Sequence, residues 1–291
     1  MKSLSPSGRI AQGLNYTLLA LLACSCIVPF FYVISVSLTP VTEVLRQNGL
    51  VLIPKRITFF AYEQLLTGET LANAYKVSLF RAVMGTSLNL LFTMITALPL
   101  SRKSLPGRNV FLLFIVFTML FNGGIIPHYL VVKQFGLLNS VWALIIPTMI
   151  SAFNLLIMKS FFEQLPEALD EAAKIDGAGE LAILFKIVIP LSTPIIATIG
   201  LFYAVYHWNS FFDAVLFIND SAKIPLQLFL RNILMATLAS SGDAAADAAD
   251  IVNPISMQMA AVVLSTLPIL CVYPFIQKHF TRGILLGAIK G

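Results

Sequence analysis

The chain has 291 residues, of which 58% are hydrophobic and 11% are charged, and its mean hydropathy is +0.86. Soluble globular chains carry about 45–50% apolar and about 25% charged residues, so this composition excludes an ordinary soluble domain and indicates a membrane protein. The formal net charge is +5, but the basic residues are scattered without interleaved aromatic residues, which argues against nucleic acid as a partner.

Six apolar runs are long enough to cross a bilayer, which takes a helix of about 20 residues. The spans are predicted at residues 14–38, 79–100, 110–132, 140–161, 191–217 and 255–277. The sequence therefore predicts an all-α, polytopic membrane protein that forms a single transmembrane domain over residues 1–291. Between the second and third spans, the segment SRKSLPGR (101–108) is rich in basic residues. Such residues favour the cytoplasmic side, so we expect six transmembrane helices with both termini in the cytoplasm.

The connection between the fourth and fifth spans, residues 163–190, is unlike the rest of the chain, and we call it the elbow. Six of the chain's 14 acidic residues lie between positions 163 and 180. Pro166 suits the start of a helix, apolar residues then recur on one helical face, and Gly177 can end that helix. A second short helix leads to Pro190, where we expect a bend. The helix is too short and polar to cross the membrane, and it suits either a groove on another protein or a connector lying on the membrane surface.

The spacing of residues in the elbow carries a family resemblance. Glu171-Ala172-Ala173 is followed after three residues by Gly177, and then by Ile187 and Pro190. This pattern resembles the signature loop of the membrane subunits of bacterial ABC importers, although the family usually has Leu-Pro where this chain has Ile189-Pro190. The segments 121–147 and 279–291 resemble carbohydrate-importer permeases of the maltose type, in the branch that carries oligosaccharides derived from polysaccharides.

That resemblance implies a function and a set of partners. The elbow would be a coupling helix that docks in a cleft of a cytoplasmic ATPase, with Glu171 meeting a basic residue, Ala172 and Ala173 allowing close approach, and Gly177 making the turn. The chain would be an importer permease that forms a heterodimer with a second permease in the bacterial inner membrane. Two ATPase subunits holding Mg-ATP and an extracytoplasmic binding protein would complete the importer. An oligosaccharide is the expected substrate, and a uronate such as alginate is one candidate.

Polar and aromatic residues inside the predicted spans are candidates for the substrate path, because such residues face a cavity or a partner helix more often than lipid. The candidates are Tyr203, Tyr206, His207, Trp208 and Asn209 in the fifth span, together with Asn89, Asn122 and Asn154. Tyr and Trp could instead form an aromatic belt at the membrane interface. The asparagines could equally form hydrogen bonds between helices.

No motif of the sequence indicates catalysis. The chain lacks the G-x-x-x-x-G-K-[S/T] phosphate loop, so we expect it to be no enzyme and to carry no cofactor. Cys24, Cys26 and Cys271 lie within apolar runs, where we expect buried reduced thiols and no metal site. The alternative function is an ion-coupled secondary sugar transporter that works without an ATPase. It is disfavoured because such coupling needs ionisable groups at the middle of the membrane. No Asp, Glu or Lys lies securely at the middle of a predicted span.

Overall fold

The computed structural model describes residues 6–47, 49–240 and 255–271, and it contains no strand within those ranges. The α-helices are α1 (Pro6–Ser37), α2 (Val41–Arg46), α3 (Phe60–Thr67), α4 (Glu69–Ser101), α5 (Arg108–Leu120), α6 (Ile125–Gln134), α7 (Ala152–Phe162), α8 (Glu167–Ile175), α9 (Glu180–Ile183), α10 (Ile189–Leu191), α11 (Thr193–Asn209), α12 (Phe212–Phe217), α13 (Leu226–Ser240) and α14 (Ile255–Cys271). Short 3-10 turns occur at Val141–Leu144, Ile146–Thr148 and Ser221–Lys223, and a π-helical turn occurs at Leu184–Val188. The all-helical class is as predicted.

The chain divides into two compact units. The described residues of 1–68 and 230–268 form the first, and those of 69–229 and 269–291 form the second. In the first unit, α1 carries a strongly apolar stretch, Gln12–Ser37, of which only 11% is buried, as suits a helix that faces lipid. Its C-terminal end is anchored by side-chain hydrogen bonds to the following segment, because Tyr32 donates to the carbonyl of Gly49 (2.9 Å) and Ser35 to that of Leu52 (2.6 Å).

The second unit is built around α4, which packs against α11 and α7. One face of α4 carries small or polar residues every fourth position, so that they align along a single stripe of the helix. These are Arg81, Gly85, Asn89, Thr93 and Ala97, and the structure buries all of them. The stripe meets α11 and the turn before α7, because the Thr93 and Tyr203 hydroxyl groups are 2.8 Å apart and the Asn89 amide donates to the carbonyl of Thr148 (3.1 Å).

The predicted spans differ from the observed helices mainly in their breaks. Within the described residues, two helices alone are long and apolar enough to cross a membrane, Gln12–Ser37 and Glu69–Ser101. Three further candidates are bent pairs: α5 with α6 (116°), Val141–Thr148 with α7 (49°), and Glu180–Leu191 with α11 (90°). The helix that contains the predicted second span, residues 79–100, begins at Glu69.

The first break has a local cause in the sequence. Asn122 accepts a hydrogen bond from the N–H of Gly124 (2.9 Å), and Gly124 has a φ of +88°. An Asn side chain that bonds the backbone two residues on makes a turn, and glycine tolerates a positive φ without a steric penalty. The Gly123-Gly124 pair therefore lets α5 and α6 meet at a sharp angle where the sequence alone suggested one continuous span.

The carboxy-terminal segment 279–291 and the end of the predicted sixth span lie outside the described residues, as does most of the acidic, alanine-rich run at 240–250. The three cysteines are free thiols, but they are exposed on the chain. The expectation of burial was therefore wrong, because an apolar helix in a membrane presents such residues to lipid instead of to a protein core.

Candidate functional site

The elbow is a pair of short helical arms joined by a tight turn. Its first arm, α8, follows Pro166, whose backbone lies outside the helical region (φ −59°, ψ 125°). Glu167 and Asp170 occupy the first turn and Lys174 the last, so both ends carry the charges that the helix dipole favours. Asp170 and Lys174 also form an ion pair at 3.0 Å across one helical turn.

Gly177 ends α8 in a Schellman motif. The N–H of Ala178 donates to the carbonyl of Ala173 (2.9 Å), and the N–H of Gly177 donates to that of Lys174 (3.0 Å), which is the pair of bonds that defines this motif. Gly177 has a φ of +77°, in the left-handed region that other residues rarely adopt. A Cβ atom added there would meet nothing within 4 Å, so glycine is required for its backbone conformation and not for space.

The second arm consists of α9, a π-helical turn and α10, and it leads into α11 through a bend of 90°. Pro190 lies in α10. Because proline has no N–H, it cannot bond the carbonyl four residues earlier, which belongs to Lys186 in the widened π turn. Ile187 lies in that turn and is half-buried against the core of the second unit.

The side chains of the predicted coupling residues divide between two directions. Ala173 is the buried residue of α8 and packs in the main core cluster of the second unit. Glu171, Ala172 and Gly177 are exposed. Glu171 has no hydrogen bond or ion pair with any residue that the structure describes, so its carboxylate is free to meet an outside partner. Ala173 is not placed to face such a partner.

A half-open cavity lies between the elbow and the ends of α4 and α7. The cavity has a volume of about 520 Å³. Its lining is both apolar and charged, and includes Leu98, Arg102, Leu169, Asp170, Glu171 and Ile187. The guanidinium group of Arg102 lies at this cavity and forms ion pairs with both Asp170 (2.7 Å) and Glu180.

A second cavity lies at the bend between the 3-10 turn Ile146–Thr148 and α7. It measures about 350 Å³ and is lined by Pro147, Thr148, Ile150, Ser151, Asn154, Phe202, Tyr203 and Tyr206. Three predicted path residues therefore meet at one cavity. Asn154 is only 6% exposed, and its side-chain amide has no hydrogen-bond partner among the described residues. Tyr203 is held by its bonds to Thr93 and to the N–H of Ser151 (3.1 Å), while Tyr206 is 44% exposed.

The other predicted path residues lie elsewhere. Asn122 makes the turn between α5 and α6, Asn89 bonds the carbonyl of Thr148, and the exposed Asn209 bonds the carbonyl of Val205 in its own helix (2.9 Å). His207 is 1% exposed and stands edge-on to the ring of Tyr206, with a centroid distance of 5.4 Å. Trp208 is half-buried. None of these five lines the second cavity.

Sequence reasoning missed the most deeply buried charge among the described residues of the second unit. Arg81 is 0% exposed and forms a bidentate ion pair with Asp213, and it also donates to the carbonyl of Ser210 (3.1 Å). The signal was available, because Arg81 begins the stripe of small and polar residues that recurs every fourth position along an otherwise apolar helix. Within the described residues, no three His, Cys, Asp or Glu side chains come together as metal ligands.

Comparison with known proteins gives a consistent result over nearly the whole chain. Residues 65–286 match the family described as "Binding-protein-dependent transport system inner membrane component". The chain is 46% identical over 284 residues to the polygalacturonan/rhamnogalacturonan transport system permease protein YtcP of Bacillus subtilis (strain 168), covering 97% of this chain and 99% of that one. It is also 46% identical over 287 residues to Protein LplC of the same strain, covering 98% of this chain and 96% of that one.

A solved structure has the same fold. It is described as the crystal structure of a bacterial ABC transporter involved in the import of the acidic polysaccharide alginate. The match has a TM-score of 0.85 at 32% sequence identity and covers 96% of this chain and 100% of the matched chain.

Proposed function

The chain belongs to the family of binding-protein-dependent transport system inner membrane components, and we propose that its elbow is the surface on which an ATPase subunit docks. The protein is a permease of a sugar ABC importer and is not itself an enzyme. The observation that carries the docking proposal is the division of side chains on α8. Ala173 anchors the helix to the permease core, whereas Glu171 and Ala172 are exposed and Glu171 has no partner within the described chain.

The proposed importer contains four kinds of component. This permease pairs with a second, different permease, and the pair encloses the translocation path. Two ATPase subunits bind Mg-ATP and dock on the cytoplasmic elbows, since this chain has no phosphate loop. An extracytoplasmic binding protein delivers the substrate. An ion-coupled carrier that works alone is not favoured, because the family transports with a binding protein.

We also propose a topology of six membrane spans with both termini in the cytoplasm of a bacterium. Six spans result when the two long helices and the three bent pairs each count as one span and α14 contributes to the sixth. The basic segment 101–108 and the elbow then share the cytoplasmic side, in agreement with the excess of basic residues expected there. The ion pairs between Arg102 and the elbow support this placement, because they require both segments to lie on the same side of the membrane.

The proposed substrate is an oligosaccharide that contains uronate residues. Two of the similar proteins are named for polygalacturonan with rhamnogalacturonan and for alginate, which are polymers of acidic sugars. The cavity beside Asn154 is the proposed point of contact in this subunit. An amide can bond sugar hydroxyl groups and carboxylates, and the exposed ring of Tyr206 offers an apolar face.

The docking proposal is tested by reconstituting the complex with a charge reversal on α8. Glu171→Lys should lose the ATPase on purification in mild detergent, because the new ammonium would face the basic group that the carboxylate is proposed to meet. Glu69→Lys is the matched control, since Glu69 is exposed and lies at the opposite end of α4 from Arg102. Retention of the ATPase with normal ATP-driven uptake by Glu171→Lys would overturn the proposal.

The substrate is tested separately in proteoliposomes that contain the complex and its binding protein. We expect ATP-dependent uptake of labelled oligogalacturonate or oligomannuronate and no uptake of neutral maltotriose. Preference for the neutral sugar would remove the uronate assignment and leave the permease function in place. Uptake without ATP or ATPase subunits would contradict the importer function itself.

A further inference from the structure

The apolar contact of α8 with the core is small. A surface helix of a globular protein usually buries a continuous apolar stripe against its core, whereas α8 has Ala173 as its buried residue. Leu169, on the same helix, remains 40% exposed. The cavity of about 520 Å³ borders the polar side of α8, which carries Glu167, Asp170, Glu171 and Lys174. Hydrophobic contact at Ala173 anchors the docking helix to the core but leaves its angle to be set by further contacts.

The basic segment 101–108 supplies that connection. Arg102 follows the last residue of α4 directly, and its guanidinium group bonds two carboxylates on different arms of the elbow. One terminal nitrogen donates to Asp170 of α8 (2.7 Å) and the other to Glu180, the first residue of α9. The guanidinium group is planar and its donors are fixed in direction. Binding both carboxylates at once therefore links the two arms to the end of α4 and favours one angle between them.

A second arginine of the same segment holds the start of the elbow. Arg108, the first residue of α5, pairs with Glu163 just after α7, and its Nε donates to the carbonyl of Leu100 in the last turn of α4 (2.8 Å). Lys159 of α7 also contacts the Glu163 carboxylate, at 2.6 Å. The ends of α4, α5 and α7 are thus tied together where the elbow begins, while Arg102 ties α4 to its two arms.

We propose that Arg102 is a positioning residue that makes the docking helix and α4 move as one body. Motion of an ATPase bound to α8 would then reach α4, and through it α11, instead of being absorbed by rotation of a loosely attached helix. This inference rests on the proposed docking function. The segment 101–108 would then transmit motion from α8 to α4, in addition to its effect on membrane topology.

Loss of the Arg102 bridges should change coupling and not folding. Ion pairs between partly exposed side chains contribute little to stability, and the side chain of Glu180 is 59% exposed. Mutations along a route that couples two sites change the coupling by about 2- to 30-fold, which is about 0.5–2 kcal/mol at about 1.4 kcal/mol for each factor of ten. Arg102→Gln should lower the sugar transported per ATP hydrolysed within that range, while basal ATPase activity and subunit assembly stay unchanged.

The chain offers a matched control at the next position. Lys103 is basic, belongs to the same segment and lines the same cavity, but it forms no ion pair with any described residue. Lys103→Gln should therefore leave the coupling ratio unchanged. Arg102→Lys should retain only part of the coupling ratio, because one ammonium group cannot bond both carboxylates as the two terminal nitrogens of the guanidinium group do. Asp170→Asn and Glu180→Gln should each give a partial loss that does not add to the loss in Arg102→Gln.

The experiment measures uptake per ATP, together with ATPase co-purification, in the complete complex in nanodiscs. A second readout is the distance distribution between spin labels at Ala168 on α8 and Met119 on α5, in a cysteine-free background. The distribution should broaden in Arg102→Gln and stay narrow in Lys103→Gln. An unchanged coupling ratio and an unchanged distance distribution in Arg102→Gln would overturn the proposal, and so would equal losses in Arg102→Gln and Lys103→Gln. Loss of docking is seen separately, as failure of the ATPase to co-purify with Glu171→Lys.

Discussion

Gly85 of α4 lies directly against the imidazole of His207 in α11. A methyl group built on its Cα atom would come within 2.7 Å of two ring carbons of that imidazole. His207 is 1% exposed, so its ring lies within the protein interior. The absence of a side chain at Gly85 therefore allows α4 and α11 to approach closely. Close approach at small residues is a common basis for helix association in membranes, where apolar burial provides little driving force between helices.

The first prediction concerns this contact. Gly85→Ala should lower the stability of the permease by about 1–3 kcal/mol, the usual cost of forcing an extra carbon into a packed interior. The measurement is thermal unfolding of the purified complex in detergent. The double variant Gly85→Ala/His207→Ala should recover most of the loss, because removal of the ring makes room for the methyl group.

Gly200→Ala is the control for this prediction. A Cβ atom at Gly200 would lie 3.1 Å from a terminal carbon of Leu90, and the end of a leucine side chain can shift by a few tenths of an ångström. We expect a clearly smaller loss of stability than at Gly85. Equal losses at the two positions would show that the imidazole contact is not the cause.

The second prediction concerns the buried ion pair. Arg81→Met should leave the Asp213 carboxylate unpaired in a setting where only 17% of its side chain is exposed. Breaking a buried pair by removing one partner costs about 3–5 kcal/mol, whereas replacing both partners by apolar residues is often neutral. Thermal unfolding should therefore show a large loss for Arg81→Met and substantial recovery in Arg81→Met/Asp213→Leu. A double variant no more stable than the single one would contradict this account.

The helical class and the elbow could be predicted because their signals are local. Pro166 and Gly177 mark the limits of α8 through their own backbone preferences, and the four-residue spacing from Asp170 to Lys174 places their side chains side by side. These features need no knowledge of the rest of the chain. The apolar runs likewise indicate membrane helices by length alone.

The breaks in the spans and the contacts between distant segments could not be predicted in the same way. Hydropathy does not reveal that α5 and α6 turn by 116°, although Asn122 and Gly124 carry the local geometry of that turn. Arg102 and Glu180 are separated by 78 positions, and sequence spacing gives no information about such a pair. The same applies to Asn154 and Tyr206, which become neighbours only when α7 packs beside α11.

The third prediction tests whether Gly177 is required for its left-handed backbone conformation or for its lack of a side chain. Gly177→Ala should reduce ATP-driven uptake, because an alanine in the left-handed conformation costs about 1–2 kcal/mol and the turn would open to relieve it. Gly177→Asn should be milder, since asparagine also occurs at this position of helix ends. Gly179→Ala is the control: its φ is −74° and an added Cβ would also meet nothing within 4 Å. Similar uptake by Gly177→Ala and Gly179→Ala would remove the role assigned to the left-handed turn.

The fourth prediction concerns the cavity beside α7. Asn154→Leu keeps the size of the side chain but removes an amide that has no partner among the described residues and borders the cavity. If that amide bonds the sugar, the loss of one hydrogen bond, about 0.5–1.5 kcal/mol, should slow uptake by about 2- to 12-fold. ATPase co-purification and thermal stability should stay unchanged, which separates a substrate contact from a folding defect. Asn209→Leu is the control, because Asn209 is exposed and bonds only the carbonyl of Val205 in its own helix. Equal uptake by the two variants would mean that the sugar passes this subunit without contacting Asn154.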